Sequence, residues 1–361
     1  MRACFVVHDP SWCGATRAFA DAATLLAARG YETCFAAPSQ SDAERALRAA
    51  GHDAIGVATG GGWVRQGWHL RRVIAARLTE VVFVHTDREH LVAAAAVRLA
   101  GRGAVVRRTA AGDRLSLGRD GRLAMRIAAT GFVFAHADDL RSATPPARAL
   151  AAHIAPPGVA FAPPRPAAPA AVGAIRPPAP HLLIVAGADR RRDLLVAIRT
   201  LALLAPRRPE LRTVIVTSAA DADLVRVEAA ALGVADRVTC LPPQTALADA
   251  LRGAALAWVI ASADDAVYAM LDALASGVPV LSERSPLAAR YIEDGVSGLL
   301  RHRAEDAEWA SVIAGLLARP DQGDTMRAGA REAAARAPFD AGAEGWLLVA
   351  DAARDRTRWT T

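Results

Sequence analysis

The chain has 361 residues, of which 53% are hydrophobic and 22% are charged, and its formal net charge is +6. This length suggests about two domains, and the apolar content excludes a mostly disordered chain. No uncharged apolar run reaches the roughly 18 residues that a membrane-spanning helix needs, and the first apolar stretch is too short for a signal peptide. The cysteines lack paired spacing, which argues against a disulfide framework or a zinc site and favours a cytoplasmic protein. They are Cys4, Cys13, Cys34 and Cys240.

Positive charge is concentrated in the first part of the chain. All 43 basic residues are arginine, and residues 1–150 contain 20 arginines against 13 acidic residues. Residues 151–361 contain 23 arginines against 24 acidic residues. A basic balance can indicate nucleic acid or an anionic membrane as a partner. The chain has no aromatic motif of a nucleic-acid-binding domain, so we expect no nucleic-acid partner.

Short apolar runs alternate with longer alanine-rich amphipathic runs along the whole chain. In the first half, the predicted strands are 2–7, 33–36, 81–85, 104–108 and 131–135. The predicted helices there are 14–29 and 41–50. In the second half, the predicted strands are 181–186, 213–217, 237–241, 256–260 and 278–282. The helices between and after them are 193–205, 222–232, 245–253, 266–276 and 305–318. Continuous apolar strands that alternate with helices predict parallel α/β sheets covered on both faces.

A Pro/Ala-rich stretch divides the two halves. Proline blocks both helix continuation and strand pairing, so this stretch predicts a linker. We predict a Rossmann-like domain over 1–160, a linker over 161–180 and a second Rossmann-like domain over 181–338. Residues 339–361 predict a C-terminal helix, and one alternative is that it crosses back to the first domain. Parallel sheets of this kind bind ligands at the carboxyl ends of their strands.

The order of motifs in the second half is specific. A strand ends in glycine (LLIVAG), a basic turn and helix follow (RRRDLLVAIRTL), and the block LDALASGVPVLS comes later, before YIEDGVSGLL. Segment 181–318 thereby resembles the C-terminal domain of retaining glycosyltransferase family 4, which has the GT-B fold. In the family's most specific signature, glutamate stands where this chain has Asp272. The first half resembles the family's acceptor domain more loosely.

The resemblance implies a nucleotide-sugar donor held by the second domain and an acceptor held by the first. The implied reaction is glycosyl transfer with retention of configuration, without a metal or other cofactor, because helix N-termini and basic side chains can hold a diphosphate. The donor base stays open. The acceptor also stays open among a carbohydrate, a lipid-linked sugar and a small natural product.

Two acidic residues eight positions apart contact the donor in the family. Asp264 and Asp272 have that spacing, whereas Asp265 takes the first role if one residue is deleted after it. A carboxylate suits ribose because it accepts hydrogen bonds from two hydroxyls at once. Asp272 is therefore predicted to bind the donor, and Asp264 or Asp265 to act at the donor sugar. For Asp264 and Asp265, capping of a helix is the competing interpretation.

Glycine and arginine residues supply the other predicted donor contacts. Arg190, Arg191 and Arg192 follow Gly187, where the family uses an arginine and a lysine to hold the diphosphate. Gly14, in the first turn of the chain, lets the backbone approach a phosphate. Thr239 and Leu241 lie where the family binds the donor base through backbone groups, and Pro242-Pro243 replaces a common glycine there. A solvated loop and a plain helix start are the alternatives for the arginines and Gly14.

His85 is the predicted catalytic residue of the first domain. It ends the strand VVFVH, where a histidine can serve as acid, base or hydrogen-bond donor. The family's histidine usually follows the next strand, where this chain reads RRTAAGD. Arg107, Arg108 and Asp113 are candidates for that position, and a structural role at a strand end is the alternative for His85.

The segment 63–77 (WVRQGWHLRRVIAAR) combines tryptophans, arginines and an apolar face. Such a segment could rest on an anionic membrane at the inner face. The alternative is a basic amphipathic helix that lines the acceptor cleft or only covers the sheet. Three functions therefore stay open for the whole chain: a cytoplasmic retaining glycosyltransferase, a catalytically silent GT-B partner or nucleotide-sugar-binding protein, and a sugar-nucleotide epimerase.

Overall fold

The computed structural model describes residues 1–58, 60, 62–143, 149–160, 180–242 and 247–357. The chain divides into two compact units, which are Met1–Gly158 with Phe339–Thr361, and Val159–Pro338. Except for Pro180, the predicted linker at 161–180 lies outside the described residues. Each unit is built on one parallel sheet, which confirms the predicted α/β class.

The first unit contains a seven-stranded sheet in the order β3-β2-β1-β4-β5-β6-β7, with every pairing parallel. The strands are β1 (Arg2–Val6), β2 (Glu32–Pro38), β3 (Ala54–Val57), β4 (Val81–Val84), β5 (Ala104–Arg108), β6 (Thr130–Phe134) and β7 (Ala149–Ile154). The connecting helices are α1 (Gly14–Ala27), α2 (Asp42–Ala49), α3 (Trp63–Ala76), α4 (Asp87–Ala100), α5 (Arg119–Ile127) and α6 (Ala137–Ser142).

The second unit contains a six-stranded parallel sheet in the order β10-β9-β8-β11-β12-β13. Its strands are β8 (His181–Ala186), β9 (Arg212–Val216), β10 (Val238–Leu241), β11 (Ala254–Ile260), β12 (Val280–Glu283) and β13 (Gly298–Arg301). Its helices are α7 (Arg191–Leu204), α8 (Ala219–Ala231), α9 (Leu247–Leu251), α10 (Ala263–Ala275), α11 (Ala288–Tyr291), α12 (Asp306–Leu317) and α13 (Pro320–Ala335). Short 3-10 turns lie at Ala188–Arg190 and Ala235–Arg237.

The last helix, α14 (Ala343–Thr357), packs on the first unit. Trp346 and Val349 are buried in the same apolar cluster as residues of β1 and β4, and the Trp346 ring lies 5.5 Å from the Phe83 ring. Gly345 lies so close to the Ile154 carbonyl that a side chain would collide with it. A further 3-10 turn, Phe339–Gly342, leads into this helix. The described helices include none long and apolar enough to cross a membrane.

Three strands were not predicted from the sequence, namely β3, the six-residue β7 and β13. β3 has four residues and includes Gly56, and β13 also has four residues and begins at Gly298. Glycine weakens the alternating pattern that marks a strand. At Gly298 the backbone of β12 lies so close that a side chain would collide with Val280, so this glycine lets the two strands pair.

Candidate functional site

The strand order of the second sheet creates a switch point between β8 and β11. From β8 the chain continues to one side of the sheet through β9 and β10, and from β11 it continues to the other side. The connections after two such strands leave in opposite directions and open a crevice at their carboxyl ends. Gly187 follows β8 and Ser262 follows β11, so both lie at this crevice.

Gly187 allows the two strand ends to approach each other. A Cβ atom at this position would lie 3.2 Å from the Ala261 Cβ and 2.8 Å from the Asp189 carboxylate. The Asp189 side chain can turn away, but the contact with Ala261 would require the two strand ends to separate by a few tenths of an ångström. The glycine predicted at the donor site thus has a steric role at the crevice.

Arg190 reaches across the ends of three neighbouring strands. It lies in the turn after β8, and its Nε donates to the Ser262 hydroxyl oxygen after β11 at 2.9 Å. One Nη donates to Asp193 at 3.0 Å, and the other lies 3.7 Å from the Glu283 carboxylate at the end of β12. Asp193 also pairs with Arg303. This guanidinium is therefore fixed at the switch point while 30% of its side chain stays accessible.

The two neighbouring arginines differ from Arg190. Arg191 donates from Nε to the buried Asp221 carboxylate at 2.7 Å, and Asp221 also accepts from the Ser218 hydroxyl at 2.8 Å. Arg192 is exposed and has no side-chain partner among the described residues. The three predicted arginines therefore divide into a bridging one, an anchored one and a solvated one.

Helix α10 begins at the crevice and carries the predicted acidic residues. Asp264 is buried, Asp265 is exposed and Asp272 is half-buried. At 100° per residue, Asp265 and Asp272 lie within about 20° of each other around the helix, while Asp264 and Asp272 are about 80° apart. Ala263, just before them, has a left-handed backbone with φ of 48°.

Thr239 and Leu241 lie on β10, at the edge of the second sheet. Thr239 is half-buried and Leu241 is buried, and the Leu241 carbonyl accepts from the Thr217 backbone N–H at 3.1 Å. One strand, β9, separates them from the β8 end of the crevice. Pro242 is described, whereas Pro243 lies outside the described residues.

The first sheet has the same kind of switch point, between β1 and β4, but its chemistry is different. The buried Glu89 carboxylate accepts from the backbone N–H of His8, His85 and Thr86 at 2.7 to 2.8 Å. The His85 ring meets the Phe19 ring edge-on, with centroids 6.4 Å apart. Gly14 is buried at the start of α1.

Arg107, suggested from the sequence as a candidate for the side of the site that lacks the family histidine, is directed into the helical layer. It pairs with Asp87 of α4 and is only 11% exposed. The same carboxylate accepts from the Gly118 backbone N–H at 2.6 Å, at the N-terminus of α5. Arg108 is fully buried, and Asp113 is exposed in the following loop.

Sequence reasoning did not find two polar contacts at these edges. Glu283 approaches Arg190 although 93 positions separate them in the chain. In the first unit, the His136 Nδ1 lies 3.1 Å from the Asp139 carboxylate, and both are buried. The histidine directly after an apolar strand (FVFAH) was an available signal for the second contact. No local signal marks the first, because it depends on strand order.

The second-unit crevice is suited to an anionic ligand with hydroxyl groups. It places a guanidinium at a switch point, a helix N-terminus beside it, and the exposed Asp265 and half-buried Asp272 on that helix. Guanidinium groups and helix N-termini bind phosphates, and carboxylates accept hydrogen bonds from hydroxyls. Within the described residues there is no cluster of three or more His, Cys, Asp or Glu side chains suited to a metal ion.

Residues 179–319 match the protein family described as Glycosyl transferases group 1. The second unit contains a group 1 glycosyltransferase domain. This match confirms the resemblance of the segment to a glycosyltransferase domain, and the matched range includes β8, the switch point and α10. The predicted start and end of the family block, 181 and 318, differ from the matched range by one or two residues.

Curated relatives share part of the chain. A protein named D-inositol 3-phosphate glycosyltransferase from Nocardia farcinica is 35% identical over 172 residues, covering 46% of this chain and 36% of the relative. One with the same name from Segniliparus rotundus is 31% identical over 204 residues, covering 54% and 45%. The chain thus aligns with less than half of the length of these relatives.

Solved structures align with nearly the whole chain. HepE of Anabaena in complex with UDP and glucose has a TM-score of 0.73 at 16% identity, covering 96% of this chain and 98% of that one. Sucrose-phosphate synthase of Thermosynechococcus elongatus has a TM-score of 0.65 at 14% identity, covering 100% and 99%. At such identities the likeness shows the fold, and it confirms the predicted GT-B fold around the group 1 domain.

Proposed function

We propose that this chain transfers a glycosyl group from a nucleoside-diphosphate sugar to an acceptor, with retention of configuration and without a metal. The observation that carries the proposal is Arg190 at the β8–β11 switch point of a group 1 glycosyltransferase domain. The same crevice offers the start of α10 and its carboxylates, which suit the phosphates and hydroxyls of such a donor. Relatives named for glycosyl transfer and a fold neighbour with bound UDP support the same donor class.

In this proposal the arginines hold the donor diphosphate. Arg190 has N–H donors left after its three contacts, because a guanidinium carries five. Arg192 is exposed at the start of α7 and can add charge. Arg191 contributes less, since its Nε is held by the buried Asp221.

The acidic residues of α10 bind the ribose and the sugar of the donor in this proposal. We assign ribose binding to Asp272, and contact with the donor sugar to Asp265 rather than Asp264. Asp265 is exposed and shares a helix face with Asp272, whereas Asp264 is buried. Thr239 and Leu241 bind the base through backbone groups. In the first unit, His85 acts on the acceptor as an acid, a base or a hydrogen-bond donor.

The first experiment measures thermal stabilisation of the purified protein by UDP, GDP, ADP and dTDP. A nucleotide at 100 times its dissociation constant raises the free energy of unfolding by roughly 2.7 kcal/mol, which gives a measurable rise in melting temperature. We expect one nucleotide to stabilise the protein most. Absence of any shift would contradict the proposed donor site.

Turnover separates an enzyme from a silent binding protein. With the stabilising nucleotide identified, its sugar conjugates are tested for release of nucleoside diphosphate in the presence of candidate acceptors. Binding without release for any sugar would favour the catalytically silent alternative. Product anomeric configuration and activity in EDTA then test retention and metal independence.

Asp272→Ala tests the site assignment. Loss of a carboxylate that accepts two hydroxyls should weaken nucleotide affinity by about tenfold or more. The matched control is Asp324→Ala on α13, because Asp324 is 83% exposed and distant in sequence from the motif. Equal affinities of the two variants would show that Asp272 does not bind the nucleotide. Asp265→Ala should lower turnover more than Asp264→Ala does per folded molecule.

A second proposal concerns where the enzyme acts. We propose that helix α3 rests on an anionic membrane at the inner membrane face. Its outer side exposes Trp68 and Val64, which are 46% and 58% accessible, and Arg71 lies 4.7 Å from the Trp68 ring. The helix contains no acidic residue, and Gly67 packs its other side against α4. Exposed apolar groups among arginines favour such a surface.

Sedimentation with lipid vesicles tests the membrane proposal. The protein should bind phosphatidylglycerol vesicles and not phosphatidylcholine vesicles, and Trp68→Ser should weaken binding several-fold. The control is Leu348→Ser on α14, an apolar residue of the same unit that is as exposed as Trp68. Equal binding by both variants would contradict a role for α3.

A further inference from the structure

Ser262 occupies the N-cap position of α10 but does not cap the helix. A serine there ordinarily accepts a hydrogen bond from a backbone N–H of the first turn. Here the side chain makes no such bond. Its oxygen instead accepts from the Arg190 Nε at 2.9 Å. The hydroxyl is therefore used for an arginine that comes from a different strand end.

The contacts of Arg190 fix its orientation from three directions. Ser262 holds the Nε, Asp193 holds one Nη at 3.0 Å, and Glu283 lies 3.7 Å from the other. An arginine side chain that moves freely loses rotamer entropy when it binds a ligand. Prior immobilisation transfers that cost from ligand binding to folding.

We propose that Ser262 is a positioning residue that holds Arg190 ready for the donor diphosphate. This inference rests on the proposed donor site and adds a residue and a mechanism to it. The Ser262 side chain makes no capping bond to α10, and its oxygen accepts from Arg190 instead. The Arg190 guanidinium is then held beside that helix start with its remaining donors unused by Ser262.

The chain allows a test with a conservative replacement. Ser262→Ala removes the acceptor, while Ser262→Thr keeps a hydroxyl and suits the extended backbone, which has φ of −120° and ψ of 165°. We expect Ser262→Ala to weaken affinity for the stabilising nucleotide on the order of tenfold, and Ser262→Thr to restore most of it. The same loss should appear in the KM for the donor, with little change in kcat.

A double-mutant cycle separates positioning from a general structural role. In an Arg190→Ala background, Ser262→Ala should cause no further loss of affinity, because the serine acts only through the arginine. Additive losses would overturn the proposal. So would a Ser262→Thr variant as weak as Ser262→Ala, provided that the two have equal melting temperatures.

A measurement without nucleotide distinguishes failure of this inference from failure of the proposed function. The Arg190 Nε–H signal in ¹⁵N NMR, assigned by its absence from Arg190→Ala, should exchange slowly with solvent in wild type and Ser262→Thr and quickly in Ser262→Ala. Unchanged exchange in Ser262→Ala would show that the serine does not hold Arg190. The expected exchange pattern in a protein that no nucleotide stabilises would refute the donor site itself.

Discussion

The two sheets share a topology, but the side chains at their switch points carry opposite charges. Between β1 and β4, the buried Glu89 carboxylate accepts backbone N–H groups from both strand ends. Between β8 and β11, the partly accessible Arg190 bridges the strand ends through side chains. The first crevice is filled by the protein's own anion, whereas the second presents a cation.

This difference favours the second unit for the proposed phosphate site. The N–H groups that could bind an anion at the first switch point already have Glu89 as their acceptor. A second anion there would meet like charge, which raises the cost of binding. Although residues 1–150 carry the excess of arginine, the donor is therefore assigned to the second unit, whose overall charge is nearly balanced.

Of the substitutions that test this comparison, Glu89→Ala should change the free energy of unfolding most. It leaves the N–H groups of His8, His85 and Thr86 without their acceptor, and each buried unsatisfied group costs about 1–3 kcal/mol. We expect the free energy of unfolding to fall by at least about 3 kcal/mol in urea titrations.

The control for Glu89 is Glu32→Ala, which removes an acidic residue from an exposed pair with Arg2 in the same unit. Such pairs contribute about 0–1 kcal/mol. If Glu89→Ala cost no more than this control, the first switch point would not be held by its carboxylate. Nucleotide affinity of the folded fraction should be unchanged, because the proposed donor site lies in the second unit.

His90 offers a smaller effect that depends on pH. Burial, together with the nearby positive charge of Arg107, lowers the pKa of His90 to about 4, and its Nε2 lies 2.8 Å from the Thr130 hydroxyl. The unfolded chain has a histidine pKa of about 6.5, so unfolding takes up a proton between these values. The stability gained from the neutral ring is present above about pH 6.5 and is lost as the pH falls toward 4.

Urea titrations at pH 7 and pH 5 test this expectation. The His90 contribution to the free energy of unfolding should be lower by about 2 kcal/mol at pH 5. His90→Gln should remove that part of the pH dependence. Thr130→Val should keep the pH dependence, since burial of the ring is the main cause of the lowered His90 pKa. An identical pH dependence in wild type and His90→Gln would show that this helix–sheet layer of the first unit is more hydrated than the structure implies.

The sequence predicted the fold more completely than the polar contacts. Apolar strands such as HLLIVA and the glycine after it indicated β8 and its turn, because these signals are local. Glu89 and Glu283 escaped notice because each is defined by partners from other strands. His85 and Arg107 were correctly placed near strand ends, yet the direction of a side chain depends on the helices packed above it.

The smallest expected effect concerns backbone strain at the second switch point. Ala263 adopts φ of 48°, a left-handed conformation that costs a residue with a Cβ atom about 1–2 kcal/mol. Glycine removes this cost but loses more entropy on folding, so Ala263→Gly should raise the free energy of unfolding by about 0.5–1 kcal/mol. Ala269→Gly, in the middle of the same helix, should lower the free energy of unfolding by about 1 kcal/mol or more.

If the left-handed residue fixes Ser262 and Asp265 on either side of it, Ala263→Gly should also weaken nucleotide binding a few-fold. A more stable protein with unchanged nucleotide affinity would show that the strain serves only the chain's path into α10, and that Arg190 and its partners alone organise the cationic switch point.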